Sequence, residues 1–536
     1  MALTATAVGA TPASAAPVET VAAGVVRAAV PPGSIQHVMV IDIENESFAA
    51  TFGPGSVATY LNQQLLPQGE LLSNYYATGH VSNDNYVSQV SGQAPNPVNS
   101  SDCITNLSSL AGTYNDVTPG TLDPNQAQYP GQVDGQGCVF PSSVQTIGSQ
   151  LDAAMPGTSL TWRSYAEDMG NSPARDGGTP DPLGGTDCAH PTQVNGTAAD
   201  GTNNAQGPNA TGGQVQSPVA DQYVDRHNPF IYFHSVTDNA AYCAAHVVPL
   251  GTVTVGTGGQ PDTFHGHLAA DLASAATTPA FGFITPNVCN DGHDAKCAGT
   301  NTNGSSVGGL TGVDAWLQHW MPLLLASPAY RNGSMLIVLT ADEGAISDST
   351  AVNNEQPGPS DPNPGFSPLL GTEPPPGTDP GGGRTGALLL NSKWIIPGTV
   401  NATPYNHYSA LRSYEDLLGI TSGGSDGLGH LGFAGAPGLA PFGPDVFNAP
   451  SGQGYREVAA DGGIFTYGEA GYYGSTGNIP LNKPIVGITS TPDGRGYWEV
   501  AADGGIFNFG DAGYYGSTGN IPLNKPIVGI AAATAT

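Results

Sequence analysis

The chain is built from short, continuously apolar segments that alternate with helix-like segments. The run 37–45, HVMVIDIEN, is apolar through most of its length and then turns acidic and polar. Runs of this kind are typical of parallel strands that are buried on both faces. Further strands are predicted at 229–234, 280–284, 334–340, 386–390 and 394–396, and helices at 263–275, 313–326 and 407–418. The alternation predicts an α/β domain with a mostly parallel central sheet flanked by helices.

Acidic and polar side chains follow two of the predicted strands. Glu44 and Asn45 end the first strand, and Asp342 and Glu343 follow the strand at 334–340. Because the carboxyl ends of parallel strands meet at one edge of a sheet, these four residues are expected to lie together. Their oxygen atoms suit Mg²⁺, Ca²⁺ or Mn²⁺. Each acidic residue taken alone is more often a turn former or a helix cap.

The charge balance limits the partners of the chain. Against 43 Asp and Glu stand only 13 Lys and Arg, which gives a formal net charge of −30. This field repels nucleic acid and anionic membrane surfaces, so neither is expected as a partner. An anionic substrate needs a local positive centre, which a bound metal ion can supply. The 75 glycines and 46 prolines indicate a loop-rich protein and exclude a coiled coil.

The cysteines and the N-terminus favour an exported protein. Six cysteines without a CxxC pair or zinc-finger spacing are predicted to form disulfides, with free buried thiols as the alternative. Cys289 and Cys297 would close a short loop and are the one pair predicted. The N-terminus ends in Ala-Ser-Ala-Ala at 13–16, which resembles a signal cleavage site without its basic start. No run is long enough for a membrane span. A secreted, extracellular protein is expected.

The C-terminal part carries an internal repeat. Residues 454–465 recur with one change 42 residues later, and 478–488 recur unchanged at 520–530. Short alternating strands around Asp-Gly-Gly turns predict a small all-β module. No secondary structure is predicted for the Gly-rich and Pro-rich insertions at 170–218 and 353–384. The predicted organisation is a residual signal peptide and flexible tail at 1–34, a catalytic domain at 35–432, a linker at 433–453 and two β repeats at 454–536.

Three further polar residues lie near predicted element ends. Asp291 and His293 follow the strand at 280–284, in the loop that the predicted disulfide would close. They could serve a site at the strand ends or simply face solvent. His407 opens the helix at 407–418, either as a site residue or as a neighbour of the helix cap.

Ser82 is the candidate nucleophile. It lies in the segment HVSNDNY at 80–86, just before a helix-like stretch. Backbone amides at a helix start would hold phosphate oxygens, and a bound cation would lower the pKa of the hydroxyl. The alternative is a simple N-cap. A G-x-S-x-G match at 423–427 follows a helix and not a strand, so it is interpreted as chance.

Seven blocks in a fixed order resemble one family. They lie at 43–48, 74–86 with Ser91 and Gly92, 161–169, 228–233, 286–294, 339–344 and 405–419. Together they resemble the bacterial phosphoesterase family, which contains secreted acid phosphatases and phospholipases C. The resemblance spans about 35–432 and implies an alkaline-phosphatase-like α/β fold. The C-terminal repeats resemble those of exported actinobacterial proteins, a resemblance that implies no chemistry.

The resemblance implies roles for individual residues. The implied assignments are metal binding by Glu44, Asn45, Asp291, Asp342 and Glu343, catalysis by Ser82, His293 and His407, and substrate binding by His80 and Asn85. At position 84, where relatives usually have proline, this chain has Asp84. That residue adds a negative charge beside the expected phosphate site.

The expected function is that of a secreted, metal-dependent phosphoric monoester hydrolase of the acid phosphatase type, acting through a phosphoserine intermediate. The expected cofactor is a divalent ion, Mg, Ca, Mn or Zn. Related compact members include phosphoinositide phosphatases, so phosphatidylinositol 3-phosphate is a candidate substrate. One alternative is a phospholipase C that cleaves a phospholipid phosphodiester. Another is a catalytically weak protein whose repeats bind cell-surface material.

Overall fold

The computed structural model describes residues 30–96, 98–103, 114–119, 131–133, 135–158, 160–173, 177–191, 193–194, 197–198, 205–206, 215–216, 219–293, 295–344, 382–447, 454–468, 470–491, 496–510 and 512–533. Residues 1–29 of the predicted signal peptide and tail at 1–34, and most of the insertion at 353–384, lie outside these residues. The chain divides into two compact units, of which one comprises Ala28–Ala449 and the other contains Pro450–Thr536.

An eight-stranded sheet forms the centre of the larger unit. Its strands are β1 (His37–Ile43), β2 (Glu70–Leu72), β3 (Trp162–Ala166), β4 (Val247–Pro249), β5 (Phe281–Thr285), β6 (Met335–Ala341), β7 (Ala387–Leu390) and β8 (Thr399–Asn401). They lie in the order β4-β3-β5-β1-β6-β7-β2-β8. Only β7 among them runs antiparallel to its neighbours. The predicted α/β class with a mostly parallel sheet is confirmed.

Both faces of the sheet are covered, which explains the continuous apolar runs. Val38 and Val40 of β1 join one hydrophobic cluster, whereas Met39 and Ile41 join the cluster on the other face. Successive side chains of a strand point to opposite faces, so a strand between two layers must be apolar throughout.

Helices supply the two covering layers. Their bounds are α1 (Ser82–Ser91), α2 (Ile147–Ala154), α3 (Ala240–His246), α4 (His267–Asp271), α5 (Gly309–Ala326) and α6 (His407–Leu417), with single turns at Phe48–Thr51, His234–Thr237 and Pro328–Arg331. Side chains of α1, α2 and α6 pack on the face of Val40, and those of α4 and α5 on the face of Met39. The predicted helices at 313–326 and 407–418 are confirmed.

Short elements complete this unit. A π-helical turn lies at Leu61–Leu65, and 3₁₀ turns lie at Leu66–Gln68, Asn99–Ser101, Asp225–His227, Pro229–Tyr232 and Gly432–Gly435. Small strand pairs join Tyr75–Tyr76 to Tyr405–Asn406, Thr118–Pro119 to Gly135–Gln136, Thr179–Pro180 to Thr186–Asp187, Gln193–Val194 to Thr197–Ala198, Ala205–Gln206 to Val215–Gln216, and Thr252–Thr254 to Thr263–His265.

Three local predictions are wrong. The apolar run at 229–234 forms a 3₁₀ turn, since Pro229 suits a helical start and a buried turn needs the same apolar residues as a strand. Residues 394–396 form a turn because the Asn391 side chain accepts hydrogen bonds from the backbone N–H of Lys393 and Trp394. The predicted helix at 263–275 begins as a strand and becomes helical only after Gly266, whose φ is 105°.

The predicted linker at 433–453 is also wrong for most of its length. Phe433, Leu439, Phe442, Val446 and Phe447 are buried in the hydrophobic clusters of the larger unit. This stretch is rich in Gly, Ala and Pro, but its spaced apolar residues anchor it to the core.

All six cysteines are paired. The disulfides are Cys103–Cys138, Cys188–Cys243 and Cys289–Cys297, so the predicted pair is confirmed. Within the described part of the chain, no helix is both long and apolar enough to cross a bilayer.

The C-terminal unit is an antiparallel β structure, as predicted. A hairpin pairs β9 (Gly454–Val458) with β10 (Ile464–Gly468), and a three-stranded sheet contains β11 (Ile485–Ser490), β12 (Gly496–Ala501) and β13 (Ile506–Gly510). Equivalent strands of the two repeats, β9 and β12, each begin at the Gly-Tyr pair that opens the repeat.

Candidate active site

The carboxyl ends of β1 and β6 meet and are bonded to each other. Alternation along β1 directs Val40, Asp42 and Glu44 to the same side of the sheet. Asn45 adopts a left-handed conformation with φ of 54°, which asparagine tolerates better than most residues. Its backbone N–H donates to Oδ1 of Asp342 at 3.0 Å. The turn after β1 is therefore tied to the residue that follows β6.

Helix α1 lies against these strand ends and presents Ser82 to them. Ser82 is the first residue of the helix, and its Oγ donates to Oε2 of Glu44 at 2.8 Å. Gln89 is two helical turns further along the same face, and its Nε2 donates to Oδ2 of Asp42 at 2.6 Å. One face of α1 therefore bonds to both Asp42 and Glu44, which are alternate residues at the end of β1.

The turn before Ser82 is strained and is held from the end of β6. Val81 has φ of 99°, a conformation that a β-branched residue rarely adopts. Oε2 of Glu343 accepts a hydrogen bond from the Val81 N–H at 2.9 Å and lies 2.7 Å from Nδ1 of His80. Val81 is the N-cap position and makes no side-chain cap, so Ser82 is not the N-cap of this helix.

Asn85 clamps the same turn with its whole side chain. Its Oδ1 accepts from the N–H and hydroxyl of Thr78 and from the N–H of Gly79, each at 2.9 Å. Its Nδ2 donates to the carbonyl oxygens of Gly79 at 2.8 Å and Val81 at 3.1 Å. Both hydrogens of the Asn85 amide are therefore bonded within the turn. The family resemblance implied instead that Asn85 would bind the substrate.

Asp84 packs against the turn that precedes Ser82. It is the third residue of α1, is fully buried, and lies so close to Gly79 that a Cβ there would approach its carboxylate to 2.7 Å. An acidic side chain in the first turn of a helix interacts favourably with the helix dipole.

Two carboxylate oxygens at the strand ends are buried without hydrogen bonds. Within the described residues, Oε1 of Glu44 and Oδ2 of Asp342 have no hydrogen-bond partner, and both residues are fully buried. Nε2 of His227 also has none and lies 3.3 Å from Oε1 of Glu44. On the other side of the ring, Nδ1 of His227 contacts Oδ2 of Asp291 at 3.1 Å.

Burial makes the charged forms of Glu44 and Asp342 unfavourable. It raises the pKa of Glu44 to about 7 and, with the neighbouring carboxylates of Glu44 and Glu343, raises the pKa of Asp342 well above its usual range. Burial and the positive charge of Arg226 hold the pKa of His227 well below its usual value, so its ring is neutral. Neutral imidazole and carboxylate oxygens are metal ligands, and metal–ligand bonds of ~2.0–2.2 Å leave neighbouring donor atoms ~3–3.5 Å apart. The 3.3 Å separation of His227 Nε2 and Glu44 Oε1 therefore suits two ligands of one divalent cation.

A buried arginine supplies positive charge beside the acidic group. Arg226 is fully buried, its Nε lies 3.6 Å from Oδ2 of Asp102, and its Nη2 lies 3.4 Å from Nε2 of His293. The backbone N–H of His293 donates to Oδ1 of Asp291 at 2.8 Å. The loop after β5 thus brings its histidine to the arginine.

Most of the predicted site residues lie close together, but not all of them line the site. Those that line or directly support the strand-end site are Glu44, Asn45, His80, Ser82, Asp291, His293, Asp342 and Glu343. Asn85 lies in the turn behind Ser82.

His407 lies behind the site and is not placed to donate a proton to a substrate, against its predicted catalytic role. Its Nε2 contacts the backbone carbonyl of Asp342 at 2.7 Å, and its Nδ1 contacts the Tyr75 hydroxyl at 3.0 Å. The carbonyl can only accept, so Nε2 carries the hydrogen and Nδ1 accepts from Tyr75. Burial lowers the pKa of His407 to about 4, so the ring is neutral.

Sequence reasoning missed three residues of the site: Asp102, Arg226 and His227. Arg226 and His227 directly precede the block at 228–233, which carries family resemblance. Their position directly before that block is the sequence feature that could have identified them. Asp102 follows no pattern, and its neighbour Cys103 is joined to Cys138.

The chain belongs to the Phosphoesterase family, whose family model matches residues 57–421. An acid phosphatase of Aspergillus fumigatus is 23% identical over 358 residues, which cover 67% of this chain and 50% of that protein. A phosphate-repressible acid phosphatase of Penicillium chrysogenum is 25% identical over 371 residues, covering 69% of this chain and 57% of that protein. The chain spans about half the length of these curated relatives.

Solved structures show more distant similarity. A protein of the alkaline phosphatase superfamily from Vibrio parahaemolyticus is 10% identical with a TM-score of 0.35, over 90% of this chain and 79% of that chain. A sulfatase from Pseudoalteromonas is 13% identical with a TM-score of 0.35, over 89% and 84%. The order and direction of the strands in the central sheet define the α/β fold.

The role of Asn85 as a clamp can be separated from its contribution to stability. Asn85→Ala is expected to lower the free energy of unfolding by about 1–3 kcal/mol and also to lower phosphate-ester hydrolysis, because the turn before Ser82 loses its restraint. Asn391→Ala is the matched control, since its buried amide also makes four backbone hydrogen bonds, but at the opposite end of β6. Equal kcat/KM for the two variants, measured beside their chemical unfolding, would contradict the clamp.

Proposed function

We propose that the protein is a secreted, metal-dependent phosphoric monoester hydrolase of the acid phosphatase type, with the Ser82 hydroxyl as nucleophile. The observation that carries the proposal is the 2.8 Å hydrogen bond from Ser82 to Glu44, beside buried carboxylate oxygens that lack hydrogen bonds. Family membership and the similarity to fungal acid phosphatases support the reaction class. Three disulfides support secretion, since such bonds persist in oxidising compartments.

Glu44 and His227 would hold the metal ion, with the neighbouring Asp342 carboxylate adding negative charge and Asp291 orienting the His227 ring through Nδ1. A divalent cation supplies positive charge to the phosphate and lowers the pKa of a nearby hydroxyl. Asn45 and Glu343, both implied as ligands by the family resemblance, also support the site. The backbone N–H of Asn45 donates to Asp342, and Glu343 holds the turn before Ser82.

Arg226 and the first turn of α1 would bind the phosphate. A guanidinium can make two parallel hydrogen bonds to phosphate oxygens, and backbone amides at a helix start favour an anion. Arg226 is already fixed by Asp102, so it needs little reordering when the substrate arrives. This local positive charge offsets the acidic field of the chain as a whole.

Ser82 Oγ then forms a bond to phosphorus, and its proton passes to Oε2 of Glu44, which already accepts its hydrogen bond. The bond between phosphorus and the leaving alcohol oxygen breaks, and His293 at the edge of the site donates a proton to that oxygen. In the second step, water attacks the phosphorus and the bond between phosphorus and Ser82 Oγ breaks. His293 takes a proton from the attacking water, and Ser82 Oγ takes its proton back from Glu44. The products are the alcohol and inorganic phosphate.

The metal requirement can be tested with a matched carboxylate control. Dialysis against EDTA is expected to abolish turnover, and Glu44→Gln and Asp342→Asn are expected to weaken metal binding. Glu415→Gln replaces another fully buried glutamate, in α6, and is expected to leave metal binding unchanged. Because burial raises the pKa of Glu44 to about 7, a cation must displace its proton below that pH, so affinity should fall as the pH drops through 7. Full activity in a preparation shown by elemental analysis to be metal-free would disprove the requirement.

The assignment of Ser82 as nucleophile can be tested against a control serine in the same helix, α1. Ser82→Ala is expected to lower hydrolysis of p-nitrophenyl phosphate by about 10³-fold or more, because the attacking atom is lost. Ser91→Ala is the control, since the hydroxyl of this buried serine donates to the Val87 carbonyl within α1 and accepts from the Gln93 N–H just after it. Near-wild-type turnover of Ser82→Ala would refute the assignment. Preferential hydrolysis of p-nitrophenyl phosphorylcholine by the wild type would indicate a phospholipase C.

A further inference from the structure

A second cluster of metal-ligating side chains lies outside the candidate active site. Asp181, Asp187 and His267 each offer one ligand atom, and these atoms all lie within 4.8 Å of one another. Nε2 of His267 is 3.0 Å from Oδ2 of Asp181 and 3.9 Å from Oδ1 of Asp187. None of the three is among the residues of the strand-end site.

Two separate elements hold this cluster. Asp181 directly follows the strand Thr179–Pro180, and Asp187 ends its partner Thr186–Asp187. The other oxygen of Asp181, Oδ1, accepts from the backbone N–H of Leu183 at 3.0 Å, which fixes the carboxylate within the hairpin loop. His267 is the first residue of α4. The cluster therefore joins the hairpin to the start of this helix.

An unpartnered oxygen points into the cluster. Asp187 is 7% exposed, and its Oδ1 has no hydrogen-bond partner within the described part of the chain. A buried carboxylate oxygen without a donor carries a desolvation cost. Its 3.9 Å separation from His267 Nε2 is too long for a hydrogen bond, but two bonds of ~2.0–2.2 Å to one ion would span it.

The surrounding charges leave the cluster negative. Arg163 is the cation that acts on both Asp187 and His267, and its Nη1 is bound to both oxygens of Asp271 at 2.8 and 2.6 Å. Burial and the Asp181 carboxylate raise the pKa of Asp187 to about 7. Burial and Arg163 lower the pKa of His267.

We propose that Asp181, Asp187 and His267 bind a divalent first-row transition ion of the Zn²⁺ type, at a site separate from the active site. Two carboxylate oxygens and one imidazole nitrogen are a common ligand set for such ions, with a further position left for water. The ion links the hairpin at 179–187 to α4 and so acts as a structural clamp.

The test counts zinc in the full-length protein. Metal-free protein is saturated with Zn²⁺, dialysed, and analysed by inductively coupled plasma mass spectrometry. A Glu44→Gln/Asp342→Asn background, which weakens the strand-end site, is expected to retain one equivalent of zinc. Adding His267→Gln or the nearly isosteric Asp187→Asn is expected to remove it. His265→Gln, at an exposed position two residues before His267, is the control and should retain it.

The zinc count would overturn the proposal if His267→Gln and Asp187→Asn bound as much zinc as the background protein. Anomalous diffraction at the zinc edge on wild-type crystals gives an answer that does not depend on how the variants fold. A peak between Asp181, Asp187 and His267 is expected, and no peak there in zinc-saturated crystals would refute the site. Both readouts are independent of phosphatase activity, so they do not depend on the proposed function.

Discussion

The burial of two carboxylates at neighbouring strand ends is the constraint on which the rest of the site depends. Glu44 and Asp342 are fully buried, and burial raises the pKa of both. Hydrogen bonds from Ser82 and Asn45 satisfy one oxygen of each, and the remaining oxygens face the buried ring of His227 or have no donor. A cation compensates such a group better than any hydrogen bond, because it neutralises charge that water cannot reach. This is how a strongly acidic chain could bind a phosphate.

The position of the proposed nucleophile follows from the sheet. Glu343 comes two residues after β6 and accepts the N–H of Val81, so the end of a central strand fixes the residue before Ser82. Val81 tolerates a strained backbone only because this contact and the Asn85 clamp over-determine the turn. Strain of this kind is common at functional sites, where it holds a side chain in a geometry that relaxed backbone would not give. The serine is thereby pre-organised against the carboxylates before a substrate binds.

The sequence predicts the central strands and the acidic residues at their ends, because both follow from burial and alternation. It does not predict the run at 229–234 correctly, since apolar character reports burial and not backbone conformation. Arg226 and His227 are missed because their importance arises from contacts with residues distant in sequence. Asn85 and His407 are found as polar residues of the right region, but only the turn and the packing show which of their atoms are already bonded. The roles of side chains are therefore harder to predict than their presence.

The most direct test of the account is whether Ser82 carries phosphate during turnover. The wild-type protein would be mixed with excess p-nitrophenyl phosphate, quenched in acid within the first turnover, digested and examined by mass spectrometry. The account predicts a phosphoserine at Ser82 that appears as p-nitrophenol is released and disappears when substrate is exhausted. Release of p-nitrophenol in the first turnover without phosphate on the peptide that contains Ser82 would contradict it and would indicate direct attack by water.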